Sequence, residues 1–260
     1  MRIALGIEYD GSQFFGWQSQ PSVQTVQDVL NLALSAVAGA QLTTHAAGRT
    51  DTGVHALMQV VHFDSDIVRP NSAWLRGVNA HLPVTVRVLW AQPVSDDFHA
   101  RFNASARSYQ YWLINAPVAP AIFANFAGWF HAPLNVSAMQ TAANFLLGEH
   151  DFSAFRASEC QAKTPIKTLQ TSSVTQHGNN IMFAFKANAF LQHQVRNMVG
   201  ALVYVGKAKI SAEDLKSMLN QQDRTLSPPT FSPNGLYLTG VDYAAKFGLP
   251  LTQRQLELPR

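Results

Sequence analysis

The sequence predicts an α+β protein of two similar halves, each a sandwich of helix on mainly antiparallel sheet. Three observations carry that expectation. Apolar residues recur with a period of two in several segments. Capped stretches with helical period stand between them. Neither half shows the strict strand–helix alternation or the Gly-rich loops of a doubly wound parallel sheet. If the inner strands of both halves pair, one continuous sheet with helices on one face results.

Taken in order, Ile3, Leu5, Ile7 and Tyr9 alternate, so the chain opens with a strand. In "TVQDVLNLALSAVAG", Val26, Val29, Leu30, Ala33 and Val37 fall on one helical face, and Thr25 and Asp28 have capping-box spacing. "ALMQVVHFDS" and "VTVRVLWAQPV" read as strands around a short helix near "SAWLRGVNAHL". After "FHARFNASA" a second set begins with the strand "RSYQYWLIN" and the helix "SAMQTAANFLLG", ended by Gly148. "KTLQTSSVTQ" and "NIMFAFKANAF" form a hairpin around "HGNN". Two helices, "LQHQVRNMVGALVYVG" and "SAEDLKSMLN" with Ser211 as cap, precede a closing strand, "GLYLTGVDY". The expected division is 1–103, 104–245 and a tail, 246–260.

At 260 residues the chain can bury a real core. Charged residues make up only 13%, well under the usual ~25%, so each charge is informative. Residues 1–100 hold 5 Arg, no Lys and 8 acidic side chains, a net of −3; the remainder has a net of +6. That asymmetry suggests a polyanion-facing surface contributed by the second half, although chance in two small samples explains it about as well. Cys160 is the only cysteine, which excludes an internal disulfide and a thiolate metal site and fits a reducing cytoplasm. The N-terminus lacks a signal-peptide pattern, and the run "MVGALVYVG" is too short to span a bilayer. A cytoplasmic location is expected.

The segment "AAGRTDTGVHA", residues 46–56, sets Arg49, Asp51 and His55 close together. Asp51-Thr52-Gly53 spells the aspartic-protease tripeptide. That chemistry needs two carboxylates sharing a proton, only one such tripeptide is present, and a cation two residues away favours full ionisation instead. A second reading makes Asp51 a nucleophile or base, already an anion at neutral pH because a free Asp has a pKa near ~3.9. In isolation a third reading is preferable, a turn in which Asp51 caps its own backbone.

The whole chain resembles the TruA-type tRNA pseudouridine synthases. "GRTDTGVHA" is similar to that family's Gly-Arg-Thr-Asp-x-Gly-Val-His signature, and "YDGSQFFGWQSQP" to its N-terminal pattern. "TVQDVL", "FHARFNASARSYQY", "GEHDFSAF", "FLQHQVRNMVG" and "FSPNGLYL" follow in the family's order, from residue 9 to about 240. The resemblance implies a pseudouridine synthase fold and isomerisation of uridines 38, 39 and 40 in the anticodon stem-loop of tRNA. It implies neither metal nor cofactor, and a homodimer across which the tRNA lies.

By resemblance, Asp51 is the catalytic nucleophile, attacking ribose C1′ or the uracil ring, and Arg196 is the basic residue paired with it. Tyr109 stacks on the target base and is a candidate for proton removal. Arg49 holds the place of the flipped nucleotide, and Arg107 is a weaker phosphate contact. The chemistry agrees: the isomerisation is redox-neutral, and the nucleotide must leave its stack. An aromatic face recovers ~1–3 kcal/mol of stacking per base. Alternation puts Arg107, Tyr109 and Tyr111 on one strand face, with Arg101 nearby in sequence.

Each residue also has a plainer reading. Tyr109 and Tyr111 alone are more often half-buried sheet packing. Arg196 lies among Val195, Met198, Val199 and Leu202, which look like core, so solvent exposure is the default expectation for its charge. His55, His193 and the other histidines are read as structural or RNA-facing, and Trp17 as packed. Lys163 and Lys167 are either an RNA contact or a solvated loop. Ser232 and Ser108 depart from the family's usual residues. A binding protein of the same fold without catalysis is the alternative function.

Overall fold

A computed structural model describes residues 1–257. Its strands are β1 (Arg2–Tyr9), β2 (His45–Ala46), β3 (His55–Asp64), β4 (Val86–Val94), β5 (Ala106–Asn115), β6 (Gly128–Phe130), β7 (Gly148–Asp151), β8 (Ile166–His177), β9 (Asn180–Ala187) and β10 (Leu236–Asp242). The helices are α1 (Val26–Ala38), α2 (Val78–His81), α3 (Val136–Asn144), α4 (Gln194–Gly206) and α5 (Ala212–Gln221). The chain separates into two compact units, Met1–Ala106 with Tyr237–Leu256, and Arg107–Leu236.

In the first unit β1 is central, antiparallel to both β3 and β4, and β2 adds antiparallel to β3. The period of two in β1 separates large apolar residues from a face that is small at its centre and charged at its two ends, Arg2 and Glu8. Ile3, Leu5 and Ile7 fill one face, while Ala4 and Gly6 form the buried middle of the other. A Cβ on Gly6 would lie 2.1 Å from the Trp90 indole, so the ring lies directly over the glycine. Ala4 and Trp90 join Ala47, Val60, Phe98, Ala100, Val241 and Phe247 in one buried cluster. Burying each of the large side chains contributes about 2 kcal/mol. Helix α1 starts as expected: Thr25 accepts the Asp28 amide and donates its hydroxyl to the Asp28 carboxylate at 2.6 Å. It stops at Gly39, whose φ of 73° is the left-handed cap that glycine tolerates.

Two features of the sequence reading change here. The closing strand was expected in the second half, yet from Tyr237 onward β10 belongs to the first unit. Tyr237 and Leu238 pair parallel with His55 and Ala56 of β3, a long-range choice that periodicity does not encode. The buried face of α1 also takes in Leu34 and the polar Gln27, while Val29 and Val37 are only half-buried.

The second unit has an antiparallel order β5–β9–β8–β7, with β6 parallel on β5. Gly148 does not end α3. That helix stops at Asn144, and Gly148, with φ 96°, opens β7, a strand the sequence did not announce. Helix α5 starts at the cap predicted at Ser211, and the cap is a full capping box: Ser211 accepts the Asp214 amide and Asp214 accepts the Ser211 amide. Such caps contribute about 1 kcal/mol. Eleven of the thirteen residues of α4 are buried, so this helix is enclosed rather than amphipathic. Among the described residues no helix is long and apolar enough to cross a membrane.

Candidate active site

The Gly48–Val54 segment links β2 to β3 in the first unit. Val54 donates its amide to the Asp51 carbonyl at 3.1 Å, closing a four-residue turn. Gly53 holds φ 79° at the third position, which a side chain would strain. Asp51-Thr52-Gly53 is thus a turn tripeptide with Asp51, half-buried, at its first position. The two threonines differ. Thr50 is buried and bonded, whereas Thr52 is exposed and makes no hydrogen bond among the described residues.

The N-terminal "YDGSQFFGWQ" segment frames this turn. Tyr9, the last residue of β1, places its hydroxyl 2.8 Å from Thr50 Oγ1 with both groups buried. Burial pushes the Tyr9 phenol up to about 12, opposed in part by hydrogen bonds with Thr50 and Gln59. Trp17 donates its amide to the Thr50 carbonyl at 3.0 Å. A Cβ on Gly11 would lie 1.9 Å from the Val54 carbonyl oxygen, and one on Gly16 would lie 2.8 Å from that of Thr50. Backbone therefore packs on backbone on two sides of the turn. Gln59, buried in β3, donates its amide to the Gly48 carbonyl at 2.7 Å. The sequence assigned Tyr9, Gly11, Gly16 and Gln59 no role at this turn; for Gln59, a lone Gln inside the apolar run "LMQVVHF" was the available signal.

His55 is 2% exposed and stacks on Tyr237, with ring centroids 4.7 Å apart. Its Nδ1 lies 3.1 Å from the Gly11 amide and 3.2 Å from the Asp10 carboxylate. Desolvation raises the Asp10 carboxyl, but the contacts with His55 and Ser12 outweigh it and hold the group at about 2. Burial, with the Asp10 charge, pushes the Tyr237 phenol up. His55 is structural here, a plug beneath the turn. Arg49 is exposed on the same loop and has no hydrogen bond or ion pair among the described residues.

In the second unit Arg107, Tyr109 and Tyr111 pair with Ala187, Phe185 and Phe183 of β9, the shared parity that alternation predicted. Tyr109 is 8% exposed and meets Phe190 edge-on, with centroids 5.2 Å apart. Arg107 donates to the Asn188 carbonyl at 2.9 Å. Tyr111 is fully buried and donates its hydroxyl to the Ser232 carbonyl at 3.0 Å, so it is a core residue. Arg196, near the start of α4, is half-buried rather than exposed. Its Nε donates to the Phe231 carbonyl at 2.9 Å, and the Phe231 amide donates to the Arg196 carbonyl at 3.3 Å.

That reciprocal pair belongs to a longer seam in which residues 227–231 lie along α4. Asn197, fully buried, accepts from Thr230 at 2.7 Å and from Arg224 at 3.2 Å, and donates to the Phe155 carbonyl at 2.7 Å. A Cβ on Gly200 would lie 2.5 Å from the Pro229 carbonyl oxygen. The seam fixes the backbone that Arg196 grips, and the sequence did not reveal it.

Other candidates resolve simply. Trp17 is packed, 1% exposed. Lys167 is neither solvated nor RNA-facing: its ammonium is buried and donates to the Thr164 and Ile166 carbonyls at 2.6 and 2.8 Å. Lys163 is exposed, and His193 caps α4 in a left-handed conformation. Arg101 and Phe102 are exposed beside His99. His62, buried against His45 and His99, accepts the Ala100 amide at 3.2 Å, and burial with neighbouring positive charge pushes it down to about 4. Ser232 accepts the Asn234 amide on its hydroxyl at 3.3 Å, a role for this departure within its own turn.

A family model described as tRNA pseudouridine synthase matches residues 6–103 and 142–244. The chain is 62% identical to tRNA pseudouridine synthase A of Methylobacillus flagellatus over 258 residues, 99% of each chain. It is 59% identical to the protein of that name from Chromobacterium violaceum over 96% of each. The corresponding protein of Dechloromonas aromatica is 55% identical over 96% of this chain and 95% of its own. Each of these matches spans both the Asp51 turn and the α4 seam.

Proposed function

The chain belongs to the tRNA pseudouridine synthase family, and from that premise we propose that it converts uridines 38, 39 and 40 of the tRNA anticodon stem-loop to pseudouridine with Asp51 as nucleophile. Enzymes of this family are isomerases, and so is this one. The observation that carries the assignment of Asp51 is its turn. A carboxylate at the first position of a loop braced on several sides, within the family's matched segment, is preorganised for reaction rather than for capping.

The reaction balances without a redox partner. The N1–C1′ bond breaks, the detached uracil rotates, and a C5–C1′ bond forms. The C5 proton leaves to solvent and N1 gains one. The Asp51 carboxylate makes and then loses a bond to ribose C1′ or to the ring, ending as it began. Arg196 supplies the counter-charge assigned to Asp51, Tyr109 the stacking face, Arg49 the group that occupies the place of the flipped nucleotide, and Arg107 a phosphate contact. Several facts support these roles. The Arg49 side chain is uncommitted and exposed, Tyr109 is aimed by Phe190, and Arg196 is anchored through Nε. The protein acts in the cytoplasm as a homodimer in this reading.

The test is tritium release from tRNA labelled at uridine C5, with wild type and Asp51→Ala compared. Wild type is expected to release tritium, and Asp51→Ala to lose on the order of 10³-fold or more while still binding tRNA. Release by Asp51→Ala at the wild-type rate overturns the assignment. Binding without release by wild type moves the reading to a non-catalytic RNA-binding protein.

A further inference from the structure

We propose that Tyr9 and Gln59 are positioning residues for the reaction, forming with Thr50 a buried brace that sets the orientation of the Asp51 turn; this rests on the reading of Asp51 as the nucleophile. The brace grips both ends of the short path from Gly48 to Asp51. At one end Gln59 holds the Gly48 carbonyl at 2.7 Å. At the other, the Tyr9 hydroxyl meets Thr50 Oγ1 at 2.8 Å, one residue before Asp51. Tyr9 is 2% exposed, Thr50 7% and Gln59 fully buried, so water does not compete for these bonds.

An amide lowers the pKa of a phenol by donating to its oxygen, and Gln59 acts on Tyr9 in that sense. The Tyr9–Thr50 bond pairs two buried hydroxyls, either of which is able to donate. Gln59 pursues this arrangement at a cost, since its own Oε1 is buried with no partner among the described residues. For packing alone, an apolar side chain would avoid that penalty. An orphaned buried acceptor on the residue that holds the Gly48 carbonyl fits positioning better than filling.

The experiment is a double-mutant cycle on intact protein with Tyr9→Phe, Thr50→Val and both together, with Thr50→Ser and Asp51→Ala as companions. Steady-state tritium release gives kcat and KM, and a thermal melt reports folding. Tyr9→Phe and Thr50→Val are each expected to lower kcat about tenfold with KM nearly unchanged. The double variant should also stand about tenfold down rather than a hundredfold, because one link is broken only once. Thr50→Ser, which keeps the hydroxyl, should return kcat to near wild type. Multiplicative losses, or a fall in melting temperature with kcat intact, overturn the brace. If Asp51→Ala remains active, the nucleophile assignment fails instead, and the two failures are told apart.

Discussion

The two units hold their candidate residues by different means. In the first, Asp51 sits on a turn, and the turn is made rigid by what surrounds it: Gly11 and Gly16 against its backbone, Tyr9 on Thr50, Gln59 on Gly48. In the second, Tyr109 and Arg196 sit on a strand and an enclosed helix, and the seam of residues 227–231 completes the setting of Arg196. Regular elements inherit rigidity from their own hydrogen bonds, whereas a turn must import it. Damage to the first unit's frame should therefore appear as lost rate, and damage to the second unit's seam as lost stability.

Within the first unit's frame, the largest effect is expected at Gly11. Gly11→Ala drives a methyl group into the Val54 carbonyl, and kcat should fall about a hundredfold. Measuring kcat beside a thermal melt decides the matter: unchanged kcat in a destabilised protein breaks the comparison. Gly200→Ala makes the corresponding intrusion against Pro229 and should cost about 3 kcal/mol of stability. Denaturant unfolding measures it, and a loss of rate without loss of stability contradicts the contrast. Asn197→Ala leaves Arg224 and Thr230 without their acceptor and should cost about 2 kcal/mol. A loss under ~0.5 kcal/mol in the same titration shows the seam to be dispensable.

The smallest effect concerns Asp10. Its folded-state pKa, about 2, lies below the value of a free Asp. The stabilisation is thus present above roughly pH 4 and is lost as pH falls through about 2. Partial exposure screens it, leaving roughly 1–2 kcal/mol. Asp10→Asn should destabilise the protein at pH 7 and flatten the acid limb of the stability curve between about pH 4 and 2. An equally steep limb in the variant assigns the acid sensitivity elsewhere.

Much of the fold was legible because it is local. The strand at Ile3–Tyr9, the Thr25 and Ser211 caps, and the hairpin around Gly178 are written in periodicity and capping chemistry. The partner of β10 was not, since parallel pairing over nearly two hundred residues leaves no mark on either segment. Among the candidate residues, Asp51, Tyr109 and Arg196 were singled out only through the family's motifs. By themselves they read as turn, packing and surface. The burial of Lys167 was missed because a lysine's stem and head respond differently to burial, and sequence does not say which carbonyls await the head.

The amino-acid sequence by itself determined where most of the longer strands and helices begin, the family, and the residues to suspect. Those depend on side-chain pattern, capping and motif, which are short-range properties of the chain. Only tertiary structure decided that "YDGSQFFGWQ" is the frame of the Asp51 turn, that His55 is its plug, and that Tyr9 and Gln59 hold Thr50 and Gly48 on the approach to it. The physical reason is that a turn has few internal hydrogen bonds, so its conformation is specified by contacts from residues distant in sequence.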